Sequence, residues 1–305
     1  MAEENLHGEC EGENNGDSNM ESSNDGPHQK GNTKAAGPSK GKRATVQVSE
    51  KQIEGNNKHG IITWNCQGAA SNSFVRAAKW IIDSHKPDVF CLLETKTSGN
   101  HATEVCKKLK YANWARVEAL GYSGGISTMW KEELQVDIIR TNPQFMHLLV
   151  VDRKNRTWNL TVVYGSPSLH LRRRLWSALS REKTEITSPW LVAGDFNAVT
   201  STDECSNPEN VGNHRNSDFK NWIFEEALLD LGYKGQKFTW KRGREGETFK
   251  GARLDRALCS TNWLDTFPDT SVTHLTMLKS DHCPILMEFD KPQARSHQRF
   301  MFQGA

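Results

Sequence analysis

Continuous short apolar runs, each closed by a polar residue, constrain this chain more than any other feature. Ile61–Trp64, Val89–Leu93, Trp190–Ala193 and Ile285–Phe289 are apolar or nearly so at successive positions rather than at alternate ones. Runs of that length and pattern fit strands buried on both faces. Helical periodicity separates some of them: Phe74, Ala77, Ala78 and Ile81 recur at helical spacing. Leu171–Ile186 reads as a helix, as does Phe219–Leu231 with apolar Trp222, Ile223 and Leu228. Gly125–Trp130, Leu134–Ile139, His147–Val151 and Trp158–Val163 are spaced by turn residues and predict a meander. Further strands are expected at Phe238–Trp240, Arg253–Leu258 and Val272–Met277. Meanders mixed with crossover helices predict an α/β fold, two packed mixed β-sheets flanked by helices, in one domain over residues 59–290.

The first 58 residues differ in kind. They are rich in Glu, Asn, Ser, Gly and Lys and cannot bury enough surface to offset the entropy of ordering, so they predict a disordered polar tail. Glu3 to Asp25 is acidic and Lys30 to Lys58 mostly basic. Lys40-Gly41-Lys42-Arg43 reads as a solvated charge run with at most a hint of nuclear targeting. Residues 291–305 are expected to be a flexible C-terminal tail. The start of the chain has neither a basic nor an apolar leader segment, and no apolar stretch is long enough to span a bilayer. A nuclear or cytoplasmic protein, not secreted and without a membrane partner, is the expectation.

Seven cysteines without C-x-x-C spacing argue against a zinc site or a disulfide framework. Gly37 to Lys42 lacks the spacing and the flanking elements of a phosphate-binding loop. The formal net charge of +2 does not imply nucleic-acid binding, so that function must rest on local charge.

Ligand-capable residues edge the buried-type strands. Asn65 follows the first, Glu94 the second, Tyr164 and Gly165 the run ending at Val163, and Asp195 and Asn197 the run ending at Ala193. Ser280, Asp281 and His282 precede the last strand. Singly, Asn65 reads as a turn former, Glu94 as a solvated strand end and Gly194–Asn197 as an Asx turn. Together they form a set that turns do not explain, because strand edges on one rim of a layered domain converge. Carboxylates and amides are hard oxygen ligands suited to magnesium or manganese, and a His beside an Asp can support a charged transition state. Phosphodiester cleavage needs those parts: an activated water, a metal Lewis acid and neutralisation at phosphorus.

Trp64-Asn65, Leu93-Glu94-Thr95, Val163-Tyr164-Gly165, Gly194-Asp195-Phe196-Asn197, Leu254-Asp255-Arg256 and Ser280-Asp281-His282 occur in the order and rough spacing of one family. On these motifs, the chain from Ile61 to Phe289 resembles the endonuclease/exonuclease/phosphatase superfamily. The strings LLETK, PWLVAGDFNAV and LKSDHCPIL are most similar to the endonuclease domain of plant LINE-type (non-LTR) retrotransposons. The resemblance implies a DNase I-like, four-layered α/β sandwich and a magnesium- or manganese-dependent endonuclease that nicks duplex DNA as a monomer. It implies Glu94 as the main metal carboxylate, with Asn65 and Asp281 nearby. Asp195 would orient or deprotonate the attacking water, and Asn197 would bind the scissile phosphate. Tyr164 would contact that phosphate or the leaving group, and His282, oriented by Asp255, a non-bridging oxygen. Whether Asp195 or His282 is the base stays open here.

Gln67 stands where some members carry an acidic residue, and Cys205 to Gly212 departs from the Gly-Gly loop common in the lineage. Arg299-Phe300-Met301-Phe302 resembles a junction into a reverse transcriptase, implying the endonuclease portion of a longer element. Gly251-Ala252-Arg253-Leu254-Asp255-Arg256 lacks the Pro-Ala-Trp-Cys-Asp-Arg-like string of the inositol-phosphate phosphatases. The alternatives are an apurinic/apyrimidinic-type repair nuclease and an inactive relic that only binds nucleic acid. Lys241, Arg242 and Arg244 sit on a Gly-containing hairpin tip before the strand carrying Asp255. The resemblance implies that this hairpin reaches a DNA groove.

Overall fold

Strands apolar on both faces need cover on both sides, and the computed structural model provides it by stacking two sheets between helices. It describes residues 58–121, 123–183, 186–207, 214–243 and 248–290. The expected N-terminal and C-terminal tails, including Lys40–Arg43 and Arg299–Phe302, lie outside the described residues, as does Arg244.

The chain begins with β1 (His59–Asn65), α1 (Asn72–His85), β2 (Val89–Leu93), α2 (Gly99–Lys108), β3 (Asn113–Val117) and β4 (Ile126–Trp130). It continues through β5 (Gln135–Asn142), β6 (Phe145–Val151), β7 (Thr157–Tyr164), α3 (Leu169–Lys183), β8 (Trp190–Asp195) and α4 (His214–Glu225). Next come β9 (Leu229–Asp230), β10 (Lys234–Gly235), β11 (Trp240–Arg242), β12 (Lys250–Ala252) and β13 (Asp255–Cys259). The series ends with α5 (Thr261–Thr266), β14 (Ser271–His274) and β15 (Ile285–Phe289).

A seven-stranded sheet runs β10-β14-β15-β1-β2-β4-β3 and a six-stranded sheet β5-β6-β7-β8-β13-β9, with β11 and β12 a separate hairpin. Each large sheet centres on a parallel pair, β1 with β2 and β7 with β8. Parallel neighbours need a crossover, which α1 and α3 provide. Ser71 starts α1 by accepting the Phe74 amide at 3.1 Å, and Lys86, left-handed at φ 48°, ends it just before Pro87.

Between the sheets, Ile61, Cys91, Leu160, Leu191 and Met287 interlock, with Trp158 edge-on to Trp263 and Phe289. Outside the larger sheet, Phe74, Ala78 and Ile81 cover Ile62, Phe90 and Leu286. Outside the smaller, Leu175, Leu179, Phe219 and Trp222 cover Val163, Val192 and Leu258. Each fully buried large apolar side chain contributes about 1.5–3 kcal/mol, so the three layers of contact hold the sandwich together. Among the described residues no helix is long and apolar enough to cross a membrane.

The expected four-strand meander is divided. β5, β6 and β7 do form one, but β4 pairs with β2 and β3 in the other sheet. Turn spacing reveals that strands follow one another, whereas sheet membership depends on which partner covers them. β4 is buried at every position, while β5 is largely exposed as an edge strand. The helix expected over Phe219–Leu231 ends at Glu225, and Leu229–Asp230 joins β13 as a short edge strand. α2, β3 and α5 add to the elements expected from the sequence.

Candidate active site

The parallel pairs deliver functional residues to one rim. Asn65 ends β1 opposite Leu93, so Glu94 emerges beside it. Tyr164 ends β7 opposite Asp195 at the end of β8. β13 is antiparallel to β8, which sets its first residue, Asp255, across from Asp195. β15 is antiparallel to β1, so the Asp281-His282 segment before it arrives at the same rim. The sandwich thus draws residues from both sheets into one place.

Close backbone approach makes two glycines necessary here. A Cβ on Gly194, at φ +142°, would lie 2.1 Å from the Val163 carbonyl oxygen. One on Gly165 would lie 2.3 Å from that of Phe196. Five residues without that excuse also adopt left-handed backbone around the rim: Gln67, Glu94, Lys96, Asn197 and Lys279, at φ 50–55°. Strained φ values persist where surrounding structure over-determines them, and such clusters mark functional sites.

Asn65, Asp195, Asp255 and His282 are buried together at the seam, none more than 2% exposed. His282 Nδ1 bonds Asp255 Oδ2 at 2.8 Å, and its Nε2 stands 3.8 Å from Asp195 Oδ2. Asn65 Nδ2 donates to Asp195 Oδ2 at 2.9 Å, and the Asn197 amide to Oδ1 at 2.8 Å. Ser280 Oγ donates to the Asn65 carbonyl at 2.7 Å and accepts the His282 amide at 3.1 Å, locking the last loop onto β1. Burial works against charge on His282, but the Asp255 and Asp195 carboxylates outweigh it and raise the imidazole well above its ordinary value. Burial raises Asp195 as well, opposed by His282 and reinforced by Asp255. The three groups therefore hold a proton tightly among them.

Toward solvent, a cavity of about 630 Å³ is lined by Glu94, Asn197, Trp240, Arg242, Asp281 and His282. The Lys96 ammonium lies 3.2 Å from Glu94 Oε1 and bonds Gln67 Oε1 at 2.9 Å. The Tyr164 hydroxyl shares a hydrogen bond with Glu94. Burial first, then the Glu94 and Asp195 charges, keep it protonated. Asp281 Oδ2 accepts Trp240 Nε1 at 3.0 Å, while its Oδ1 is buried without a hydrogen-bond partner. An orphaned carboxylate oxygen in the cavity that Glu94 also lines is a donor chemistry that fits a hard divalent cation. Asp195, Asp255 and His282 also gather ligating atoms within 4.8 Å. One of those contacts is the His282–Asp255 hydrogen bond, and the Asp195 oxygens accept from Asn65 and Asn197.

The hairpin cations separate. Arg242 lines the cavity, whereas the Lys241 ammonium bonds Gln236 Oε1 at 2.7 Å. The Lys241 amide donates to the Asp281 carbonyl at 2.9 Å, tying the hairpin to the loop that bears His282.

Sequence reasoning missed the support beneath Asp255. Glu204, in a 3-10 turn at Thr202–Glu204, takes Arg253 Nη1 at 3.0 Å and Arg256 Nη2 at 2.7 Å. Asp230 on β9 takes Arg253 Nη2 at 2.7 Å and Arg256 Nη1 at 2.9 Å. Burial acts against the charge of Glu204 and of Asp230, yet the two guanidiniums hold both carboxyls below their usual range. The signal was present as the arginines flanking Asp255, but their acidic partners are remote in sequence. Arg172, also unanticipated, donates to the carbonyls of Ser166 and Pro167 at 2.7 and 2.8 Å and fixes the loop after Tyr164.

A model of the Endonuclease/Exonuclease/phosphatase family matches residues 62–282. Recombination repair protein 1 of Drosophila melanogaster is 25% identical over 255 residues, which are 75% of this chain and 37% of the relative. The chain therefore spans little over a third of that protein. The endonuclease domain of TRAS1, a telomere-specific non-LTR retrotransposon, superposes with a TM-score of 0.59 at 15% identity, over 76% of this chain and 98% of that domain. AP endonuclease LMAP from Leishmania major gives 0.60 at 17% identity, over 77% and 89%. At these identities the two structures speak for a shared fold.

Proposed function

This chain belongs to the endonuclease/exonuclease/phosphatase family, and from that premise we propose that it is a divalent-metal-dependent endonuclease of retrotransposon type that nicks duplex DNA. The observation that carries the reading is the buried His282 imidazole between Asp255 and Asp195, beside a cavity walled by Glu94 and Asp281. Magnesium or manganese held by Glu94 and Asp281, with Asn65 nearby, would stabilise charge on the phosphoryl oxygens as a Lewis acid.

Asp195 takes the proton of the attacking water, its oxygens oriented by the Asn65 side chain and the Asn197 amide. His282, kept charged by Asp255, donates from Nε2 to a non-bridging oxygen as negative charge builds there. The Asn197 side chain binds the phosphate, and the Tyr164 hydroxyl meets the departing oxygen. The water oxygen joins phosphorus, the P–O bond breaks, the leaving oxygen takes a proton from solvent and Asp195 later returns its proton to solvent, giving a phosphate monoester end and a hydroxyl end. Lys241, Arg242 and Arg244 on the hairpin neutralise flanking phosphates.

Supercoiled plasmid incubated with the protein and magnesium should be nicked, and chelator or Glu94→Ala should abolish nicking. Undiminished nicking under either condition overturns the metal assignment. Failure of the folded protein to nick overturns the nuclease reading in favour of an inactive relic. A second reading, cleavage at abasic sites, is favoured by the likeness to an AP endonuclease. It predicts a strong preference for a duplex with one abasic site over the intact duplex.

A further inference from the structure

The outer face of α3 carries an arginine-rich stripe that the chemistry above does not use. His170, Arg173, Arg174, Ser177 and Arg181 are exposed and recur at helical spacing, and together they line a shallow depression of about 540 Å³. No carboxylate lines it. The one acidic residue of α3, Glu182, is buried against Arg140 of β5 at 2.8 Å. Arg173 is braced by Asp218 of α4 at 2.7 Å, and Arg172 turns inward to the Ser166–Pro167 loop. That loop joins α3 to Tyr164, and both Pro167 and Arg172 line the catalytic cavity. The stripe therefore starts at the rim of the site and runs away from it.

We propose that this α3 stripe is a second, sequence-independent docking track for the phosphate backbone of the DNA arm flanking the cut. The proposal rests on the nuclease reading above. Arginines fixed along one face of a rigid helix, Arg173 and Arg174 followed two turns later by Arg181, suit an extended polyanion. From His170 to Arg181 the helix rises about 16 Å. At about 3.4 Å per phosphate along one strand, that is roughly five base pairs beyond what the cavity itself can touch.

The test measures equilibrium binding in chelator, where no cleavage occurs, using a long duplex of about 30 base pairs and a short one of about 10 base pairs. The wild-type protein should bind the long duplex more tightly and with a steeper salt slope. Changing Arg173, Arg174 and Arg181 to Gln together should lower the long-duplex slope by about 1 to 2.7, Arg173 adding least because Asp218 already pairs with it, and leave the short duplex unaffected. Raising salt from about 50 to about 200 mM would then weaken wild-type binding about 4- to 40-fold more than variant binding. Nicking of the short duplex should be unchanged. An unchanged long-duplex slope in the variant, or no length dependence in the wild type, overturns the track while leaving the nuclease reading intact. A wild-type protein that binds neither duplex overturns both. Loss of binding only to vesicles containing phosphatidylserine would assign the stripe to a membrane surface and overturn the proposal.

Discussion

Replacing Arg256 with Met keeps much of the side chain's length but leaves Glu204 and Asp230 without one of their two guanidiniums. Arg256 is fully buried, bonds both carboxylates and the Arg253 carbonyl, and lies 5.2 Å above the Phe219 ring. Removing one partner from a buried ion pair costs about 3–5 kcal/mol because the other charge is left uncompensated. Glu204 keeps Arg253 and the Thr200 amide, and Asp230 keeps Arg253 and the Gly232 amide, which holds the cost toward the lower end. Loss of the cation over Phe219 adds about 0.5–1 kcal/mol. The expected total is about 3–4 kcal/mol, or a fall in Tm of about 6–16 °C for a domain of this size. Urea unfolding followed by circular dichroism measures it. Lys107→Met, which breaks an exposed pair with Glu104, is the control and should cost under about 0.5 kcal/mol. Adding Glu204→Gln to Arg256→Met should recover about 1–3 kcal/mol relative to additivity. A loss no larger than the control, or strictly additive losses, would refute the view that this cluster braces β13.

Nicking should fall by orders of magnitude in both Asp255→Asn and His282→Ala, with the double variant little worse than either, since the two act as one unit. Because the carboxylates raise His282, the alkaline limb of the pH–rate profile should move to lower pH in Asp255→Asn; an unmoved limb would count against the pairing. Gly194→Ala forces a Cβ onto the Val163 carbonyl and should cost more than about 2 kcal/mol, with loss of nicking. A near-wild-type Tm would show that the strands can separate there. At the opposite end of the sandwich, burial disfavours the charge on Asp88 and Asp152. His59 and Lys131 for the former, and Arg156 for the latter, nonetheless hold both below the usual 3.8. Their stabilisation is complete above that value and lost as pH falls below it, so this pair predicts a drop in Tm from about pH 4 downward. Asp88→Asn should flatten that drop, and an identical acid slope in the variant would exclude Asp88 as its source.

Sequence alone determined the building blocks and the chemistry on offer. Continuous apolar runs such as Val89–Leu93, too short for helices and closed by polar residues, fit strands covered on both sides, so two packed sheets with helices outside followed from pattern. Polar residues closing those runs, Asn65, Glu94, Tyr164, Asp195 and the Asp281-His282 pair, were legible because a strand end is the one place where a buried segment turns polar. Tertiary structure decided which strands share a sheet, for β4 and β5 adjoin in sequence yet pair on opposite sides of the core. It also decided the distances that make chemistry. Nothing local to His282 says that Asp255, 27 residues earlier, and Asp195 flank its two ring nitrogens. The Glu204–Arg253–Arg256–Asp230 cluster was illegible for the same reason. Long-range ion pairing leaves no periodic trace in a sequence, since a charge's partner is fixed by the register of strands, whereas burial is written residue by residue in the hydrophobic pattern.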